Sequence, residues 1–96
     1  MPAKPRTNAN KTGGVQVISR AAEILRALKA DDRGMSLGAI AERVGLPRST
    51  VQRLVNALIA EGLVVASSAE GGLRLGPEIQ ALAAASRLAV GDLLRP

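Results

Sequence analysis

Two amphipathic stripes broken by Gly45-Leu46-Pro47 constrain this chain more than any other feature. Before the break, Leu37, Ile40, Ala41 and Val44 follow i, i+3, i+4, i+7 spacing, which predicts a short helix from Leu37 to Val44. Ser36 stands where a helix start needs a side-chain oxygen for its free N–H groups. Gly45 stands where a helix end favours a left-handed residue. After the break, Pro47 restarts helix with its fixed φ. Val51, Leu54, Val55 and Leu58 then carry a second stripe to about Glu61, where Gly62 closes it. Two helices joined by so short a turn must cross steeply. Ala41 is therefore small at the crossing, Leu46 plugs the corner, and Ile40, Val44, Val51 and Leu54 fill a shared core. This is a helix-turn-helix.

The flanks complete the plan. Residues 15–30 repeat Val17, Ala21, Ile24 and Leu28, widened by Ile18, Ala22 and Leu25, as one broad buried face of a preceding helix. A polar turn, Asp31 to Gly34, ends it. Leu63 to Ala66 and Leu73 to Leu75 read as two short strands around a turn of small residues, Ser67 to Gly72. Gly76-Pro77 breaks the hairpin, and a last helix from about Glu78 to Leu88 presents Ile79, Leu82, Ala83 and Ser86. The expected fold is mainly α with a small β-hairpin, a winged helix-turn-helix. Residues 1–14 form a disordered basic arm, 15–76 the domain, and 77–96 a linker helix. With no Phe, Tyr or Trp, the core is aliphatic and the stability margin small, so help from a partner subunit is expected.

Composition removes several function classes. There is no Cys and no His, so disulfides, Cys- or His-based zinc sites and thiol or imidazole catalysis are excluded. An enzyme is a poor reading: few general acids or bases remain, and no cofactor or metal site is expected. Asp31 and Asp32 are adjacent in a turn and point apart, which suits a solvated loop. No apolar run approaches the ~20 residues that span a bilayer. No apolar segment follows the basic N-terminus as in a secretory signal, so the expected compartment is the cytoplasm.

The net charge is +5, and its distribution says more than its size. Lys4, Arg6 and Lys11 make the arm basic without an acid, which suits a minor groove or simply a solubilising tail. On the second helix of the pair, Ser49, Gln52, Arg53 and Asn56 line the side opposite the core stripe, with Arg48 and Thr50 at its start. No acid lies between Glu42 and Glu61. These side chains match base edges: Arg bidentate to guanine, Gln or Asn to adenine, the Thr methyl to the thymine methyl. The helix start adds backbone N–H groups for a phosphate. The bland reading is an ordinary solvated helix face, but the whole acid-free stripe after the Gly-Leu-Pro turn favours double-stranded DNA. Ser36, at the start of the first helix of the pair, joins the expected contacts. Arg43 reads equally as a phosphate contact or a surface charge. Arg74, between two inward Leu residues, points outward as a wing contact.

The stretches ISRAAEILRAL, SLGAIAERVGLPRSTVQRLVNALIAEGLV and LRLGPEIQALA together resemble the N-terminal domain of the IclR (isocitrate lyase regulator) family over about residues 15–96. Gly-Leu-Pro-Arg-Ser-Thr-Val followed by Arg53-Leu54, and Arg74-Leu75-Gly76 leaving the wing, carry the likeness. The resemblance implies an operator-binding transcription regulator, repressor or activator, working as a homodimer or higher oligomer, with helix one and the linker aiding pairing. It implies a small-molecule effector bound by a C-terminal domain that lies outside this sequence, which is then a fragment of a longer protein. Two positions depart from the family pattern: Leu73 replaces a usual aromatic, and Gln52 a frequent His. The second alters which base is favoured. A MarR-like or other winged-helix regulator, or a winged-helix protein-interaction module, is the alternative.

Overall fold

Local chemistry sets the centre of the fold. In the computed structural model, which describes residues 8–31, 33–67 and 72–94, the Ser36 hydroxyl accepts from the Ala39 N–H at 3.1 Å. Gly45 adopts φ 73°, and its N–H donates to the Ala41 carbonyl at 2.9 Å. Helix α2 (Leu37–Val44) thus has both the cap and the left-handed stop that its sequence predicts. Leu46 N–H also donates to Ala41 O, at 3.1 Å, and Val51 N–H to Pro47 O at 3.0 Å, so the turn flows directly into α3 (Arg48–Ala60).

The other elements are α1 (Asn8–Lys29), β1 (Val64–Ser67), β2 (Gly72–Leu75) and α4 (Pro77–Leu94). The strands pair antiparallel, Val64 opposite Leu75 through Ser67 opposite Gly72. The turn between them lies outside the described residues. On the other edge of β2, Met35 bridges Leu73 through two backbone bonds, Met35 N–H to Leu73 O at 3.0 Å and Leu73 N–H to Met35 O at 2.8 Å. The segment before α2 is therefore pinned to the wing. The Asp31 carboxylate accepts from Arg33 N–H at 3.1 Å and closes the turn after α1; Asp32 lies outside the described residues.

One aliphatic core joins these parts: Ile24, Ala27 and Leu28 from α1, Met35, Ile40 and Ala41 around α2, Val51, Val55 and Leu58 from α3, and Val64 from β1. Ile40 and Val51 fill the helix-turn-helix core as expected, while Val44, Leu46 and Leu54 are half-buried against it.

Three expectations are corrected. α1 begins at Asn8, not Val15; once a packed turn exists, each further residue adds one hydrogen bond, which carries helix onward. Residues 1–7, with Lys4 and Arg6 of the expected arm, lie outside the described residues. The buried face of α1 is shorter than its stripe: Val17 is 51% and Ile18 72% exposed. A helix of 22 residues spans roughly 33 Å, whereas α2, with 8, spans about 12 Å. From Gly14 to Ser19 the helix stands exposed, and burial begins at Arg20. Finally, α4 continues to Leu94, past the expected Leu88 and through Gly91. On its apolar face Ile79 and Ala83 are half-buried, but Leu82 and Ser86 are exposed.

Candidate nucleic-acid interface

Burial divides α3 into two faces. Val51, Val55 and Leu58 are buried, whereas Ser49, Gln52, Arg53 and Asn56 are exposed on the opposite side. Packing of α3 against α1, α2 and β1 fixes which face is outward. The sequence-predicted stripe is thus brought together on a rigid element. Within it, Gln52 Nε2 donates to Asn56 Oδ1 at 3.0 Å. Arg48 and Arg53 have no ion-pair or hydrogen-bond partner among the described residues.

Arg48 leans across the turn toward the start of α2. A Cβ on Gly38 would stand 3.7 Å from its Cζ and 3.9 Å from Nε and Nη2. The guanidinium therefore rests beside the first turn of α2, near the capping Ser36. Ser36 itself serves the fold as an N-cap, and its hydroxyl proton is still free to donate.

Arg20, half-buried on α1, carries no signal of its own in the sequence. With Val17 from α1 and Thr50, Arg53 and Leu54 from α3, it lines a cleft of about 300 Å³. Two arginines and a threonine thus line one cleft at the edge of the outward stripe. In sequence Arg20 and Arg53 belong to separate helices, and only the α1–α3 packing joins them, so no motif could have signalled the pair.

The remaining candidates lie elsewhere. Arg43 joins Glu23, Arg26, Ala27 and Val44 around a cleft between α1 and α2, and is not brought to the α3 stripe. Arg74 is exposed on β2, opposite Val65. Its Cγ would meet a Cβ on Gly34 at 3.2 Å, and it borders a small cleft with Leu28, Lys29, Asp31 and Leu75. It sits at the base of the wing, against the turn after α1. Among the described residues, no helix is long and apolar enough to cross a membrane.

Comparison with known proteins gives this geometry a context. Residues 17–68 match the model of the IclR helix-turn-helix domain. The chain is similar to the HTH-type transcriptional regulator TtgV of Pseudomonas putida, 52% identical over 89 residues, covering 93% of this chain and 34% of that protein. It is similar to the HTH-type transcriptional regulator Rv1719 of Mycobacterium tuberculosis, 52% identical over 86 residues, covering 90% of this chain and 33% of that one. The chain spans about a third of the length of these relatives. Among solved structures, an IclR homolog from a Microbacterium species superposes with TM-score 0.69 at 26% identity, over 77% of this chain and 31% of that one.

Proposed function

Because the chain belongs to the IclR family of helix-turn-helix transcriptional regulators, we propose that α3 is its recognition helix and reads operator DNA in the major groove. The observation that carries this is the exposed, acid-free stripe of α3, whose Arg48 and Arg53 side chains have no ion-pair or hydrogen-bond partner among the described residues. Buried or exposed, a guanidinium with no internal partner keeps all its donors for a ligand, and bidentate donation to guanine is its strongest base contact. Arg53, Gln52, Asn56 and Ser49 face the base edges in this reading. Arg48 and Thr50 sit at the groove entrance.

Phosphate contacts supply most of the affinity. Arg20 with Thr50 forms one such contact at the α1–α3 cleft, and Ser36 with the first turn of α2 another. Arg74 holds the wing side of the duplex, and Arg43 an outer phosphate. Pairing of two copies is supported by Val15, Val17 and Ile18, three large apolar side chains exposed on α1. Two recognition helices would then enter successive major grooves about 34–36 Å apart, or a multiple of that. The effector-binding part belongs to the rest of the protein, and the working compartment is the cytoplasm. No catalysis is assigned to this region.

A binding selection on random duplex DNA across a salt series, with wild type beside Arg53→Ala, tests the reading. It expects a two-fold related motif that the variant relaxes, with affinity falling steeply as salt rises. Weak, salt-sensitive binding without enrichment, unchanged by the substitution, would refute it.

A further inference from the structure

We propose that Gln52 and Asn56 act as one specificity-determining unit, in which Asn56 positions the Gln52 carboxamide for adenine. This rests on the operator-reading role of α3 given above.

Both side chains are exposed on the outward face of α3, one helical turn apart. The bond between them runs from Gln52 Nε2–H to Asn56 Oδ1 at 3.0 Å. It fixes how the two amides share their donors and acceptors. An amide nitrogen has two protons. Gln52 spends one on Asn56 and keeps the other, together with both lone pairs of Oε1. That remaining edge, one acceptor beside one donor, is the complement of adenine, whose N6–H₂ donates and whose N7 accepts. Asn56 has its Oδ1 engaged, and both Nδ2 protons stay free. It therefore offers donors to a neighbouring base that presents an acceptor, the O6 and N7 of guanine or the O4 of thymine. The unit reads a two-base step: adenine under Gln52, then guanine or thymine under Asn56.

A free glutamine on a helix surface samples many rotamers and must be immobilised on binding, at a cost that a pre-held side chain avoids. A merely structural pair would steady the helix slightly and leave base preference untouched. The two roles separate in a measurement of preference at single base positions.

The test is a binding selection followed by affinity measurements on operators changed one base pair at a time. The proteins are wild type, Gln52→Ala, Asn56→Ala, Asn56→Asp and the double alanine variant. The position relaxed by Gln52→Ala defines the Gln52 base. Wild type is expected to prefer adenine there by on the order of ten-fold or more. Asn56→Ala should reduce that preference by roughly two- to ten-fold although Gln52 is intact. Asn56→Asp keeps an oxygen for Nε2, so it should restore the adenine preference while weakening binding to every sequence. In both Asn56 variants the adjacent preference for guanine or thymine should vanish. The double variant should be no more relaxed at the Gln52 base than Gln52→Ala alone. An unchanged adenine preference in Asn56→Ala, or strictly additive losses, would overturn the unit while leaving operator reading by α3 intact. If wild type enriches no motif at all, operator reading fails, and the unit with it.

Discussion

Gly76 and Gly45 are both glycines at element ends, yet replacing them by alanine should have different consequences. At Gly45 the difficulty is conformational alone: φ is 73°, and nothing lies within 4 Å of an added Cβ. A left-handed alanine costs about 1–2 kcal/mol, offset by roughly 0.4–1 kcal/mol from the stiffer unfolded chain. The net loss is under about 1.5 kcal/mol, a fall in Tm of several degrees for a domain this small. At Gly76 the difficulty is backbone against backbone. A Cβ there would lie 3.0 Å from both Gly62 C and Val64 N, and nearer still to Gly62 O. None of these atoms can rotate aside. Relief requires separating the end of β2 from the residues before β1, where Gly76 N–H donates to Leu63 O at 2.8 Å and Glu78 N–H to Gly62 O at 3.0 Å. Two backbone bonds at about 1 kcal/mol each, with about 1–3 kcal/mol of overpacking strain, give a loss of roughly 3–5 kcal/mol. That is a large share of the total stability of a small domain. Urea unfolding followed by far-UV circular dichroism measures both variants; the chain has no Trp or Tyr to follow by fluorescence. Equal destabilisation of the two variants would refute the close approach of hairpin and α4 entrance on which the larger figure depends.

Four further variants probe other parts of the structure. Leu28→Ala, in the core at 2% exposure, should cost about 2–5 kcal/mol in the same unfolding measurement, whereas Ser36→Ala, which removes the α2 cap, should cost about 1 kcal/mol. Arg20→Ala should weaken DNA binding nearly equally for all sequences and lower the salt slope by about one; a change in preferred motif would count against a phosphate role. Val17→Glu with Ile18→Glu should leave the monomer folded, since both side chains are exposed, but shift sedimentation from dimer to monomer if α1 carries the pairing.

Features decided by neighbouring residues were legible in the sequence, and features decided by distant ones were not. Ser36, Gly45 and Pro47 act on backbone within a few residues, so both ends of α2 and the entry to α3 could be read directly. The Met35–Leu73 bridge could not. A one-residue strand has no alternation to detect, and its partner lies across the chain. Periodicity marks the apolar stripe of α1 but not how much of it the body covers, so it places Val17 and Ile18 inside, where the structure leaves them exposed. Ala27, buried in the core, lies outside that stripe as spacing alone draws it. Arg20 is a case of the same kind, because only tertiary packing sets it beside Thr50 and Arg53.

The same division explains why the reading stripe was legible at all. On α3 the residues that hold the fold and those proposed to meet DNA lie on opposite faces. Val51, Val55 and Leu58 are buried, while Ser49, Gln52, Arg53 and Asn56 have no core contact to satisfy. Each set is free to change without the other. Thr50 and Leu54 are the exceptions. Both are half-buried, and both border the cleft shared with Arg20 and Arg53. At these two positions a substitution acts on α1–α3 packing and on the basic cleft together. A hydroxyl at residue 50 satisfies both demands, since its methyl can pack and its oxygen can meet a phosphate. Valine, the same shape without the oxygen, would keep the packing and lose the polar contact.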